Sequence, residues 1–378
     1  MTYDDMVKMQ KIILINGSHP DYLLKLRGDL IRKLIAMGYS VHVSTPNIDD
    51  SVRESIATLG AVAHEVSVSR RKLNPFSDLN YLLEMWQLIR RLKPYFVINY
   101  TIKPNIWASF AARLAKARYG FMVTGLGYAF IPSDDRLRSA LQKAVHKLYR
   151  FASAGAYAVL FQNPDDVEDF RQAGCLQDRS KAKITNGSGV DIDHFYDCAL
   201  PQDDSYLLIS RLLITKGVRE YVEAGLKLKA EAPDVKIRLA GFLDSGPDAI
   251  SEAELDSWIA RGVEYLGKLD DIRPAMEATA VYVLPSYREG TPRTVLEAMS
   301  MGRPIISTDA PGCRETVVHQ QNGILIPVAD EEALYLSMKQ LRGNPELKEV
   351  YGRRSRSIAL EKYAVERVNQ ATTEYFGL

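Results

Sequence analysis

Residues 281–317 read VYVLPSYREGTPRTVLEAMSMGRPIISTDAPGCRETV, and the fold is decided there. Residues 281–284 are a short apolar run closed by Pro285, the pattern of a buried strand. Residues 294–301 set Val295, Leu296 and Met299 on one helical face, and Gly302 stands where a helix C-terminus favours glycine. Arg303-Pro304 then leads into a second strand-like run, Ile305-Ile306-Ser307. Strand, loop, helix and strand in so few residues make a tight βαβ unit. The loop 286–293 carries Tyr, Arg, Glu, Gly, Thr and Pro and ends where the helix begins. First-turn N–H groups have no partner within a helix and the dipole is positive there, so this loop suits a phosphate or diphosphate. Glu289 and Glu297 bracket the turn, one on the loop and one on the helix. Spacing alone would leave them as solvated surface glutamates; their surroundings say more.

Glu289-Gly290, Glu297-Ala298-Met299, Gly302, Pro304-Ile305-Ile306, Gly312 and Glu315 together resemble the donor-binding signature of glycosyltransferase family 4, whose members are retaining enzymes of the GT-B fold. The resemblance covers nearly the whole chain. It implies an α/β protein of two Rossmann-like domains facing each other across a cleft. The expected bounds are 1–188 for an acceptor-binding domain, 189–358 for a nucleotide-sugar-binding domain, and 359–378 for a helix crossing back to the first. It also implies that Glu289, with the backbone amides of Gly290 and Thr291, holds hydroxyls of the donor sugar. The helix start at Val295 and Leu296 would take the diphosphate together with Arg211 and Lys216, and Glu297 would accept both ribose hydroxyls. Backbone at Gly267 and Leu269 stands where the family reads the base. Glu289, Lys216 and Arg211 are then the catalytic group. No side chain is an obvious nucleophile, so front-face attack is expected, with the leaving phosphate oxygen helping to deprotonate the acceptor.

At 378 residues the chain is too long for one core and fits two domains. It is 46% hydrophobic and 25% charged, which excludes bulk disorder. The three cysteines have no metal or redox spacing and fit a reducing compartment. The opening MTYDDMVKMQ lacks an apolar core, so no signal peptide is expected, and no run approaches the roughly 18 apolar residues of a membrane span. The net charge of +1 hides an asymmetry: residues 1–190 hold 26 Lys and Arg against 17 Asp and Glu, or +9, and the rest 22 against 30, or −8. A basic first half points to anionic partners, a lipid surface or a diphosphate, rather than to charge scattered without function.

The first half opens with the apolar run 11–15, ending in Asn16-Gly17-Ser18, then a helical stretch through Leu30, Leu34 and Ile35 and a second strand at 41–44. This is a Rossmann-like start, where ligands sit beyond strand C-termini. It lacks the G-x-G-x-x-G of a dinucleotide site. By the resemblance the loop at Gly17 and Ser18 faces the acceptor. A third strand is expected over 61–68, followed by Arg70-Arg71-Lys72 and then Leu73, Pro75 and Phe76, either a solvated face or a membrane-surface contact. Strands at 95–100 and 121–124 lead to Lys103 and to Thr124-Gly125, expected to contact the acceptor. These two segments, 101–105 and 124–128, resemble bacterial transferases that add a sugar to a polyprenyl-diphosphate-linked sugar. That subgroup implies a UDP-sugar donor, an N-acetylhexosamine or hexose as cargo, and a peripheral place on the cytoplasmic face of the membrane; no nucleic acid is implied. Many relatives carry a His at the loop here read as 124–127, and this chain does not. None of the six histidines has a catalytic setting; His146, His194 and His319 read as structural. Arg136, Arg138, Lys143, Lys147 and Arg150 alternate with Leu137, Leu141, Val145 and Leu148 as a basic amphipathic helix, surface or interfacial.

Residues 186–191, Asn-Gly-Ser-Gly-Val-Asp, mark the interdomain hinge by their glycines. Asp191-x-Asp193 matches the carboxylate pair that metal-dependent transferases use, yet here it sits in the hinge of a metal-free family, so no metal or other cofactor is expected. Three rivals remain at this stage: a nucleotide-sugar 2-epimerase of the same fold, a transferase with a soluble acceptor, and a non-catalytic scaffold that has kept the fold, against which an intact Arg211, Lys216, Glu289 and Glu297 argue.

Overall fold

The structure is a computed structural model that describes residues 10–68, 75–130 and 135–378. Two compact units emerge, 1–188 with 369–378, and 189–368. The first is built on a seven-stranded sheet, ordered β3-β2-β1-β4-β5-β6-β7, with β1 Ile12–Asn16, β2 Ser40–Thr45, β3 Val62–Glu65, β4 Phe96–Tyr100, β5 Tyr119–Val123, β6 Val159–Phe161 and β7 Ala182–Ile184. The second has a six-stranded sheet, ordered β10-β9-β8-β11-β12-β13, with β8 Ser205–Ile209, β9 Lys236–Ala240, β10 Glu264–Tyr265, β11 Val281–Leu284, β12 Ile305–Thr308 and β13 Gly323–Ile326. Every ladder is parallel. Such sheets are covered on both faces, which is why β1, β4, β5, β8 and β11 are nearly continuous apolar runs. Helices such as Pro20–Ala36 and Val218–Glu231 bury one apolar stripe against these sheets.

In each unit the strand order reverses once, at β1/β4 in the first and at β8/β11 in the second. At such a reversal the crossovers leave on opposite faces and open a crevice beyond the strand C-termini, where ligands of open α/β sheets bind. The loops singled out from the sequence leave from these strands: 17–18 after β1, 101–103 after β4, 211–216 after β8 and 286–293 after β11.

Three expectations are corrected. The third strand stops at Glu65 rather than at 68: the Ser67 N–H turns to the Glu84 carboxylate, 2.6 Å away, and leaves the ladder. The C-terminal helix is not continuous from 359; a turn over Ala359–Tyr363 ends at Ala364, and the helix proper is Val365–Phe376. The return to the first unit comes at 369 rather than 359, because Val190 and the 363–365 segment exchange backbone hydrogen bonds of 2.9 Å that hold the break in the second unit. Where the chain passes between units, Asn186, Gly187 and Gly189 are left-handed, and a Cβ on Gly189 would lie 2.7 Å from Val365 Cα.

The last helix is a core element of the first unit. Phe376 is fully buried, its ring centroid 5.2 Å from that of Phe96, and it lies so close over Gly120 that only glycine fits there. Phe376→Ala is expected to cost about 3–5 kcal/mol through the cavity it leaves, read as an earlier unfolding midpoint in denaturant.

Candidate donor and acceptor sites

The second unit gathers the donor candidates. After β8 the chain makes a short turn, Ile214–Lys216, and Gly217 in a left-handed conformation starts the Val218–Glu231 helix. Gly217 is required, since a Cβ would stand 2.2 Å from the Pro285 carbonyl oxygen. The Thr215 carbonyl accepts from the Ser286 hydroxyl at 3.2 Å and from the Tyr287 N–H at 2.9 Å, tying the loop after β8 to the loop after β11. Asp248 braces Thr215 from the other side through its N–H, 3.2 Å, and its hydroxyl. A third loop closes on the same place: the Glu289 N–H donates to the Pro311 carbonyl at 2.9 Å, and a Cβ on Gly312 would lie 2.2 Å from the Glu289 carbonyl oxygen.

These contacts bring Lys216 and Glu289 together as a half-buried ion pair, Nζ to Oε1. The two candidates assigned to diphosphate and sugar therefore balance each other before any ligand arrives. Gly290 and Thr291, half-buried, continue the same loop. Arg211 leaves the end of β8 and pairs with Asp244 at 2.8 Å. Val295 and Leu296 are buried with the core, and their N–H groups point back at the Pro292 carbonyl at 3.1 and 3.3 Å. These two amides are thus engaged within the helix start and not turned to a diphosphate. Glu297, 6% exposed, accepts from Arg293 Nε at 2.8 Å. Gly267 is left-handed and open, at the end of β10, with its carbonyl taking the Gly241 N–H at 2.8 Å; Leu269 packs its side chain into the second unit's core.

In the first unit Ser18, Thr101, Lys103, Asn105, Thr124 and Gly125 line one cavity of about 250 Å³ beyond β1, β4 and β5. Gly17 lies beside it under the Tyr100 ring, where a Cβ would stand 2.5 Å from the Tyr100 hydroxyl. The Ser18 and Thr101 hydroxyls meet at 2.9 Å, and Thr101 is left-handed. Lys103 is paired at 2.6 Å with Asp78, both about a tenth exposed. Beneath the cavity Asn16 and Asn99 bond across the β1/β4 boundary at 2.5 Å, with Ser44 at 2.6 Å and Ser109 at 3.0 Å completing a buried polar network. Sequence reading passed over this network and over Asp78, Asp244, Asp248 and Arg293. The sequence signal was an Asn at or next to the end of each of two apolar strands.

Asp191 caps its own turn, its carboxylate accepting from the N–H groups of Asp193 at 3.1 Å and His194 at 2.9 Å. The three histidines read as structural pack as such: His146 against Phe130, His194 against Phe195, and His319 accepting the Leu325 N–H at 3.0 Å. The buried Cys313 thiol is pushed up to about 12 by burial and stays neutral.

Two family descriptions match the chain: "Glycosyl transferase 4-like domain" over residues 27–183 and "Glycosyl transferases group 1" over residues 204–344. A Bacillus anthracis protein, N-acetyl-alpha-D-glucosaminyl L-malate synthase, is 30% identical over 93% of this chain and 92% of its own. The chain belongs to the group 1, family 4 glycosyltransferases. Another relative, the N,N'-diacetylbacillosaminyl-diphospho-undecaprenol alpha-1,3-N-acetylgalactosaminyltransferase of Campylobacter jejuni, is 28% identical over 73% of this chain and 75% of its own. Among solved structures, Anabaena HepE in complex with UDP superposes with a TM-score of 0.79 at 18% identity, over 98% of this chain and 100% of that one. The fold is accordingly GT-B, two parallel-sheet α/β domains of the glycosyltransferase type.

Burial moves Glu297 from 4.5 to about 7, against the opposing pull of Arg293. The folded chain therefore binds this proton more tightly than the unfolded one. The stability it contributes is fully present below pH 4.5 and is lost as pH rises through about 7, on the order of 3 kcal/mol in all. Glu297→Gln is expected to flatten the fall of the ligand-free melting temperature across that window. An unchanged slope would mean that the carboxylate is already ionised in the folded state at low pH.

Proposed function

We propose that this glycosyltransferase moves a sugar, an N-acetylhexosamine or hexose, from a UDP-sugar to a polyprenyl-diphosphate-linked sugar in bacterial polysaccharide or glycan assembly, with retention and without a metal. The observation that carries it is the Lys216–Glu289 pair held by three loops at the β8/β11 reversal. An incoming donor exchanges this contact for two others: phosphate oxygens on Lys216 and Arg211, sugar hydroxyls on Glu289. As the bond from the anomeric carbon to the β-phosphate oxygen breaks, charge grows on the diphosphate, and the two cations and the helix start oppose it where other transferases use a metal. The acceptor hydroxyl attacks on the same face and gives its proton to the leaving phosphate oxygen. UDP is favoured by the HepE complex, and a lipid-diphosphate acceptor by the printed name of the Campylobacter relative.

Lys216→Ala and Glu289→Ala should each cost at least about 2 kcal/mol of transition-state stabilisation, more than tenfold in rate, with the fold intact. The assay is transfer of labelled N-acetylhexosamine from the UDP-sugar to a polyprenyl-diphosphate-linked sugar in excess EDTA. Near-normal turnover in both variants sinks the site; loss in EDTA restored by Mn2+ sinks the metal-free mechanism. Release of an isomerised sugar without acceptor would move the assignment to the epimerase.

The same reading places the protein peripherally on the cytoplasmic face of the membrane. Among the described residues no helix is long and apolar enough to cross one. The Arg136–Gly155 helix presents Arg136, Lys143, Lys147 and Arg150 to solvent. On the Pro75–Leu92 helix Phe76, Leu79 and Leu83, at i, i+3 and i+7, are 85%, 53% and 45% exposed. Arg70-Arg71-Lys72 end two residues ahead of that helix in sequence but lie outside the described residues. Exposed apolar side chains and solvent-facing cations within one unit fit an anionic bilayer, each cation contributing on the order of 1 kcal/mol. Flotation with phosphatidylserine-containing vesicles should be strong in low salt and weakened by Leu79→Glu/Leu83→Glu. The Bacillus anthracis relative, named for L-malate, favours a second reading with a small soluble acceptor. Salt-insensitive absence from vesicles, with equal activity on a short soluble acceptor, would decide for it.

A further inference from the structure

We propose that Arg293 is a positioning residue that keeps the Glu297 carboxylate charged and hydrogen-bonded, ready to accept ribose hydroxyls of a bound nucleotide. The inference rests on the donor reading above and adds to it a residue that the binding loop's sequence pattern does not mark. Three observations point to it. Glu297 is 6% exposed in the core-facing part of the Arg293–Ser300 helix, and a carboxylate taken from water needs a cationic partner. Its charged hydrogen-bond partner is Arg293, Nε to Oε1 at 2.8 Å. Arg293 itself is misplaced as a helix residue: it stands at the first position, where the dipole disfavours a cation, and its pairing runs Arg-to-Glu at i,i+4, the weaker of the two orders. Helix stability therefore does not account for an arginine there, whereas the buried carboxylate does.

Two further titratable groups on neighbouring elements, Tyr282 and Glu289, are already engaged. From β11 comes Tyr282, fully buried, its hydroxyl donating to the Ile209 carbonyl at 3.2 Å and its ionisation suppressed by burial. Beyond it on the following loop is Glu289, paired with Lys216. With burial pushing Glu297 to about 7, Arg293 decides whether the group is an acceptor or a neutral acid at physiological pH.

The test is calorimetric titration of the full chain with UDP and, separately, with uridine, which has no phosphate to titrate, from about pH 6 to pH 8.5. Wild type should bind both more tightly as pH rises and level off above neutrality. Arg293→Met should weaken both ligands on the order of five- to tenfold at pH 7 and recover toward wild type at the alkaline end, since loss of the cation moves the carboxylate's protonation upward. Arg293→Lys should restore most of the neutral-pH affinity, and Glu297→Gln should bind weakly with no pH slope for uridine. If the Met variant does not fold, Arg293→Gln carries the same comparison. A variant with the wild-type pH midpoint overturns the inference, as does a loss confined to UDP, which would make Arg293 a phosphate ligand. Wild-type protein that binds neither UDP nor any other nucleoside diphosphate overturns the donor reading as well, so the two failures are told apart.

Discussion

Two hydrogen bonds onto one carbonyl oxygen, that of Thr215, hold two loops of the second unit in register. They come from the Ser286 hydroxyl and the Tyr287 N–H, so the loop after β8 and the loop after β11 become one rigid piece across the point where strand order reverses. Binding loops are ordinarily the mobile parts of a sheet protein. Here the join is dense enough that Gly217 and Gly312 have carbonyl oxygens where a Cβ would be. Lys216 and Glu289, far apart in sequence, then meet without either being anchored by its own helix. Preorganisation of this kind is what allows charged groups to act on a transition state without first moving.

The first unit solves the same problem differently. Its reversal point at β1/β4 is fastened below the strand ends by the Asn16–Asn99 amide pair and the Ser44 and Ser109 hydroxyls, all fully buried. A satisfied polar network in a core is rigid, because each broken bond would leave an unpaired buried group. The cavity carrying Ser18, Thr101 and Lys103 stands directly on that network, which makes the strand ends a fixed floor for whatever occupies it.

Fold and family were legible because both depend on local pattern. Buried parallel strands print as apolar runs, and β2, β4 and β11 lie within a residue of where those runs put them. The Glu289 to Glu315 spacing holds because a strand, a tight loop and a helix of set length separate those residues. The carboxylates opposite the cations were not legible. Asp78, Asp244 and Asp248 find Lys103, Arg211 and Thr215 across gaps of 25 to 33 residues, and no period connects them. Strand ends failed for a related reason: β3 yields at Ser67 to a carboxylate from the helix above it, a competitor that is invisible in residues 61–68. The break at Ala364 was likewise set by a distant partner, Val190.

The pairing of cations leads to one further consequence. Lys216 with Glu289, Arg211 with Asp244, Lys103 with Asp78 and Arg293 with Glu297 each carry a balancing carboxylate. An arriving anion therefore exchanges partners rather than filling an empty positive site, and its gain is the difference between two ion contacts. Inorganic phosphate takes Lys216 from Glu289 and offers that half-buried carboxylate no hydrogen-bond donor in exchange. On the donor reading proposed above, a nucleotide sugar would take Lys216 with its diphosphate and offer Glu289 hydroxyl donors from the sugar in the same event. On that reading the pair would select for ligands that carry both functions at the right separation, and this coupling, more than the positive charge, would fit the β8/β11 crevice to a nucleotide sugar.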